Sequence, residues 1–165
     1  MRLEPWAAGD LALLERLNAP EMTAHLGGPE SAEKLADRQR RYEQLRADRG
    51  RAFKVVDDAT GEAVGSVVYW DRRWHDQDVF EIGWGVLPEY QGRGVAREAV
   101  GQAVARARAE GRQRFLHAFP SVDNAPSNAL CRGLGFELLG EGDFEYPKGS
   151  FMRCNDWRLD LSRPT

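Results

Sequence analysis

Cysteine is scarce in this chain: Cys131 and Cys154 are the only two, with no C-x-x-C pair. Two such thiols make neither a disulfide framework nor a zinc site of the spaced-cysteine kind. Histidine is nearly as sparse. His25, His75 and His117 lie far apart without H-x-x-x-H spacing, so no metal is expected. Lysine supplies only 3 of the 23 basic residues, as Lys34, Lys54 and Lys148. The arginines are spread along the chain, which we read as compositional bias, and the net charge is −3. A nucleic-acid binder driven by phosphate neutralisation is therefore not expected. Long hydrophobic runs are missing too: nothing approaches the ~18 apolar residues of a spanning helix, and MRLEPWAAGD has no apolar signal stretch. No membrane partner is expected, and the expected location is the cytoplasm. Repeats, low-complexity segments and Pro/Gly/Ser-rich linkers are also absent.

What is present suffices for one globular domain. The 165 residues, 42% hydrophobic and 30% charged, fit a single domain over 1–165, whose folding buries about 70% of the unfolded surface. MRLEPW reads as an extended start. Gly9-Asp10 cap a first helix through LALLERL, and a second short helical stretch, EMTAHL, stops at Gly27-Gly28-Pro29. Ser31 opens the polar helix AEKLADRQRRYEQLRAD, expected to end at Gly50; its thin stripe of Leu35, Tyr42 and Leu45 places it on the surface. AFKVVDD and EAVGSVVYW, joined by Asp58-Ala59-Thr60-Gly61, read as an antiparallel hairpin. The charged segment DRRWHDQD is expected to connect to a third strand, VFEIGWGVLP. Ala96, Ala99, Val100, Ala103, Val104 and Ala107 then recur at helical spacing up to Gly111. RFLHAFP reads as a strand, APSNALCRGLG as a short helix, and FELLGEG and FMRCNDWRLDL as two final strands. The class is α/β (α+β), with helices flanking a mixed sheet.

The stretch that carries chemistry runs from Glu81 to Glu98, EIGWGVLPEYQGRGVARE. A strand ends at Pro88, a tight turn Gln91-Gly92-Arg93-Gly94 follows, and an Ala-rich helix starts at once. That order aims unpaired N–H groups and the positive helix end at one point, which suits a pyrophosphate. Two nucleotide-binding patterns fail on detail. A dinucleotide fingerprint wants a third Gly or Ala where Arg97 stands, and a P-loop wants G-K-[ST]. What remains is Q-x-x-G-x-A, from Gln91 through Gly94 to Ala96.

With that motif the chain resembles the GNAT superfamily of acyl-CoA-dependent N-acyltransferases, whose [QR]-x-x-G-x-[GA] follows a strand of the type E-I-x-x-x-V-x-P. A second motif of the superfamily, N-x-x-S with a later G-F, is matched by Asn124, Ser127, Gly135 and Phe136. HLGGPES looks like the branch with ribosomal-protein and antibiotic N-acetyltransferases. The resemblance implies a mixed, mostly antiparallel sheet, splayed where the pantetheine of acetyl-CoA (coenzyme A) inserts beside the motif strand. It implies that backbone groups at Val86 and Leu87 bind the pantetheine arm. The N–H groups of Gln91, Gly92, Arg93, Gly94, Val95 and Ala96 would hold the pyrophosphate, with Arg93 or Arg97 as ion partners. Asn124 would contact the cofactor arm, although Asn before a helix is equally an N-cap.

N-Acyl transfer needs a neutral amine. Deprotonation at pH 7 costs about 4.6 kcal/mol for a lysine-like amine and about 1.4 for an α-amine. A base helps the first most, and Glu81, in the strand leading to the motif, is the candidate; the bland alternative is a strand-end salt bridge. The superfamily often supplies a thiolate-protonating Tyr seven residues after the motif Asn, but that position here is Cys131. Cys131, Ser127 or water then serves as acid, or none is needed, since a thiol pKa of about 8.5 makes the thiolate a tolerable leaving group. A buried packing residue is the usual reading of such a Cys131. Trp70, Trp74, Trp84, Phe119, Phe144 and Tyr146 are candidates to line the acceptor site. Glu141, Asp143 and Glu145 either attract an amine or mark an exposed loop. The expected function is acetyl-CoA-dependent N-acetyl transfer to a primary amine of a small molecule, peptide or protein N-terminus, by direct attack on the thioester. The alternative is a non-catalytic acyl-CoA-binding sensor or assembly module. The expected partners are the amine-bearing acceptor and a second copy in a homodimer.

Overall fold

Apolar side chains alternate along the strands, so one sheet presents two hydrophobic faces, and each face recruits its own helices. The computed structural model describes residues 1–145, 149 and 151–164. Its strands are β1 (Arg2–Pro5), β2 (Gly50–Val56), β3 (Ala63–Trp74), β4 (Gln77–Val86), β5 (Phe115–Ala118), β6 (Glu137–Glu145) and β7 (Phe151–Asp160). They form one sheet in the order β1-β2-β3-β4-β5-β7-β6, and every neighbouring pair is antiparallel except β4–β5. The helices are α1 (Leu11–Leu17), α2 (Pro20–Thr23), α3 (Ala32–Gln44), α4 (Val95–Glu110) and α5 (Ala125–Gly133).

On one face Phe53, Tyr69, Phe80, Ile82, Leu116 and Trp157 pack against Ala99, Val100, Ala103 and Val104 of α4 and Cys131 of α5. The small residues let α4 lie close to the sheet, and left-handed Gly111 (φ 65°) ends it. On the other face α1 and α3 close over Trp6, Leu13, Leu14, Leu35 and Leu87. Gln39 joins that layer from the polar helix: it is buried, accepts from Trp6 Nε1 at 2.8 Å and donates to the Ala7 carbonyl at 3.0 Å.

Three boundaries differ from the sequence reading. Helix α3 stops at Gln44, with Leu45 extended, because the chain must turn through Arg46–Gly50 to start β2 opposite Trp70. The segment DRRWHDQD is no connector. It is the tip of the β3–β4 hairpin, paired from Asp71↔Phe80 to Trp74↔Gln77 around a two-residue turn. That turn puts His75 (φ 48°) and Asp76 (φ 63°) in the left-handed region, the requirement of a type I′ turn usually met by Asn or Gly. Finally, β6 extends through Glu145, so residues 141–145 are edge strand paired with 151–155. A strand of such polarity survives because an edge is solvated on both sides.

Asn128 fastens α5 to the sheet. Its Nδ2 donates to the carbonyls of Ser121 (3.0 Å) and Asn124 (2.9 Å), and its Oδ1 accepts from Asn155 Nδ2 and Trp157 Nε1, both at 2.8 Å. Every polar atom of this buried amide is used. Asn128→Ala strands the Trp157 and Asn155 donors and is expected to cost about 2–4 kcal/mol, read as a lowered midpoint in urea unfolding with an unchanged m-value.

Candidate active site

The parallel β4–β5 ladder has only two rungs, Phe80↔Leu116 and Glu81↔His117. Past them β4 runs on to Val86, paired with β3 alone, so the sheet forks just beyond Glu81 and His117. The Leu87 N–H donates to the Val64 carbonyl at 2.8 Å. By antiparallel alternation the backbone groups of Val86 and Trp84 therefore point away from β3, into the fork. An extended chain can enter there and take the place of a strand. The Val86 carbonyl receives a hydrogen bond from Gln91 Nε2 at 2.9 Å, which ties the loop to the open strand. Leu87 departs from its expected role, because its N–H is bound to Val64 and its carbonyl accepts from Tyr90 N–H at 2.9 Å. The exposed backbone of the motif strand is thus at Trp84 and Val86.

Beyond β4 a single 3-10 turn (Pro88–Tyr90) leads into the loop. Gly92 and Gly94 adopt φ 75° and 77°, and a side chain at either would meet open space. Glycine is needed there for its dihedral rather than for lack of room, and the turn leaves successive N–H groups facing solvent as a nest. The first α4 hydrogen bond is Glu98 N–H to the Gly94 carbonyl, leaving the N–H groups of Val95, Ala96 and Arg97 open at the positive helix end. The Gln91 N–H, in contrast, is spent on the Pro88 carbonyl at 3.2 Å, so Gln91 positions the loop instead of lending its N–H to a phosphate. Arg93 is exposed over the Tyr90 ring, and Arg97 donates to the Gly133 carbonyl at 3.0 Å. A forked strand, a nest and a free helix end in line fit a pantetheine arm leading to a pyrophosphate.

The face of the fork that lacks α4 carries the charged groups. Glu81 is mostly buried and paired with Arg72, which donates through Nη1 to Oε1. Burial pushes the Glu81 carboxyl up, against the Arg72 pair, which draws it down; the net shift is upward. The Arg72 guanidinium lies over Trp74 (4.9 Å), Phe119 (5.0 Å) and Phe144 (5.9 Å), and Trp74 stacks on Phe144 at 5.3 Å. Beside Glu81, the buried His117 places Nδ1 at 2.6 Å from Asp156 Oδ1, while Trp74 Nε1 donates to Asp156 Oδ2 at 3.1 Å. Burial alone would raise the Asp156 carboxyl; the bonds from His117 and Trp74 outweigh it and hold the group below its usual range.

The remaining expected site residues fall outside this cluster. Cys131 has no exposed surface and sits in the α4–α5 core, where burial pushes its thiol up to about 12. A sealed, weakly acidic thiol cannot reach a ligand in the fork, so its expected place among the catalytic residues is corrected to packing. Asn124 caps α5, accepting from the Ser127 N–H at 3.3 Å, and Ser127 lies half-buried in that first turn. Trp84 packs on the α4 side of the sheet, away from the charged face, whereas Trp70 covers Gly83 on the charged face. Tyr146 lies outside the described residues. Of the acidic trio, Asp143 pairs with Arg153 and Glu145 accepts from the Gly149 N–H, both exposed. Sequence reasoning missed Arg72, His117 and Asp156. No local pattern joins them, and the reading of DRRWHDQD as a connector kept Arg72 from being placed on the strand face that it shares with Glu81.

Among the described residues, no group of three or more His, Cys, Asp or Glu could hold a metal ion, and no helix is long and apolar enough to cross a membrane. No curated protein matches the chain in sequence at a significant level. Solved structures do match in fold. A ribosomal-protein-alanine N-acetyltransferase from Brucella melitensis is 24% identical, with TM-score 0.79 over 97% of this chain and 99% of its own. The Vibrio cholerae spermidine N-acetyltransferase, solved with CoA and spermine, is 20% identical, with TM-score 0.79 over 98% and 95%. A phosphinothricin acetyltransferase from Sinorhizobium meliloti, solved with acetyl-CoA, is 21% identical, with TM-score 0.78 over 99% and 92%. The family model for the acetyltransferase (GNAT) domain matches residues 1–137. The forked sheet, the Gln91–Ala96 loop and this match together establish that the chain belongs to the GNAT acetyltransferase family.

Proposed function

We propose that this N-acetyltransferase, whose donor is acetyl-CoA, acetylates a primary amine of a small molecule, a peptide or a protein N-terminus that approaches the fork from the charged face. The observation that carries the reading is the two-rung β4–β5 ladder, which puts Glu81 at the apex of the fork. The thioester of acetyl-CoA supplies the acyl electrophile. The open edge at Trp84 and Val86 would hold the pantetheine arm. The N–H groups from Gly92 to Ala96 and that of Arg97 would hold the pyrophosphate, with the exposed Arg93 guanidinium as ion partner.

At the apex Glu81 would receive the acceptor as an ammonium, using the carboxylate oxygen that Arg72 leaves free, with the Trp74, Phe119 and Phe144 rings walling the approach. Ser127, with solvent, would serve as the proton source on the α5 side. We place the enzyme in the cytoplasm, since both cysteines are free thiols, and the exposed Leu138 and Leu139 of edge strand β6 would be the patch that a homodimer covers.

The activity is tested by thiol release from acetyl-CoA across a panel of amines; release with no amine in the panel would leave only a binding module. Gly94→Val forces a branched side chain into a left-handed dihedral and so distorts the nest. Coenzyme A affinity, measured by calorimetry on the folded variant, is expected to fall at least about tenfold. Glu81→Gln removes the apex charge, so the acceptor KM should rise about 10- to 100-fold while coenzyme A binds as before. An unchanged acceptor KM would return Glu81 to the role of a partner for Arg72.

A further inference from the structure

Two groups able to take a proton stand side by side on the last rung before the fork, and only one of them is free to do so. Glu81 already shares its charge with Arg72. His117 is held differently. Asp156 is ionised and can only accept, so the 2.6 Å contact fixes the proton on His117 Nδ1 and leaves the lone pair on Nε2. The second Asp156 oxygen is taken by Trp74 Nε1, and the imidazole lies parallel to Phe119 at 5.7 Å, so neither partner of the pair can turn. Nε2 itself makes no hydrogen bond. The fully sealed, unpaired side-chain atoms among the described residues belong to Arg108, Glu110 and Arg112, so Nε2 keeps some accessible surface although His117 as a whole is buried, on the rung at which the fork begins. The arrangement is that of a histidine general base with a carboxylate orienter.

Resting on the acetyltransfer reading above, we propose that His117 is the catalytic base, that Asp156 is its positioning residue, and that Glu81 anchors the amine without taking its proton. Nε2 first takes one proton from the ammonium held at Glu81 and releases it to water. The neutral amine nitrogen then attacks, the C–N bond forms and the C–S bond breaks with its electron pair on sulfur. A second amine proton moves to Nε2, and the resulting imidazolium passes it to the thiolate or to water. The imidazolium is stabilised by Asp156 and by Glu81, its cross-strand neighbour. Arg158, paired with His117 in register from β7, and Arg72 of β3 oppose it. These two carboxylates and two guanidiniums are the charged groups that flank His117 from β7, β4 and β3.

The test compares the parent with His117→Gln, Asp156→Asn and Glu81→Gln, by thiol release against pH and by proton NMR of the imidazoles. The chain has three histidines, so the His117 signal is identified by its loss in His117→Gln. That variant should lose ~10²–10⁴ in kcat near pH 7, recover much of it at higher pH where the amine ionises unaided, and keep its acceptor KM. Asp156→Asn should move the His117 NMR titration downward and cost less kcat than His117→Gln; a merely structural Asp156 would not move that titration. A folded His117→Gln with the parent rate at pH 7 would overturn the assignment. So would a Glu81→Gln variant that, in place of His117→Gln, is the one rescued by raising the pH. An unmoved titration in Asp156→Asn would dismiss the pair, even if the parent released no thiol with any amine. That last result by itself would instead count against the acetyltransfer reading.

Discussion

The brevity of the β4–β5 pairing is the constraint on which the rest of the structure depends. Parallel strands joined by a long helical crossover have no tight turn to hold them together, so their contact lasts only as long as both lie in one plane. Here it lasts two residues. The crossover through α4 fixes where β5 begins, and beyond the two rungs β5 stays paired with β7 alone. What β4 loses in ladder hydrogen bonds it retains as an open edge, which a ligand with amide groups can satisfy. The bond from the Gln91 side chain to the Val86 carbonyl keeps the phosphate loop in line with that edge.

The opposite face of the fork is organised by the length of the β3–β4 hairpin. Because β3 continues to Trp74, the Arg72 guanidinium can reach Glu81 and lie among Trp74, Phe119 and Phe144. Trp74 in turn reaches Asp156 on β7. Five strands, β3, β4, β5, β6 and β7, thus contribute to one cluster on the face away from the α4 core. Rigid strands hold such a cluster better than loops do. Both of its carboxylates are partnered, which is the condition for keeping charge in a half-buried site.

Packing and chemistry are divided between the two faces. The α4 side is filled by small and branched apolar residues and by the sealed thiol of Cys131. Its buried amide, Asn128, is satisfied internally and anchors α5. The charged side keeps Glu81, His117 and Asp156 within reach of the fork.

The sequence by itself determined the order of elements, the helix α4 between Gly94 and Gly111, and the loop whose glycines need left-handed dihedrals, because these depend on local sterics and on a 3.6-residue period. The Gln91–Ala96 motif and the Asn124 and Ser127 pair made the family legible for the same reason: they are short and contiguous. Tertiary structure alone decided what the other residues do. A type I′ turn at His75-Asp76, without the usual glycine, turned an apparent connector into a hairpin tip. Local pattern could not show that the Leu87 N–H was committed to Val64. His117 and Asp156 stand 39 residues apart, and Glu81 is separated from His117 by the whole α4 crossover. Only strand register brings such residues together, and register is set by the packing of the entire sheet against its helices, which no local stretch of sequence encodes.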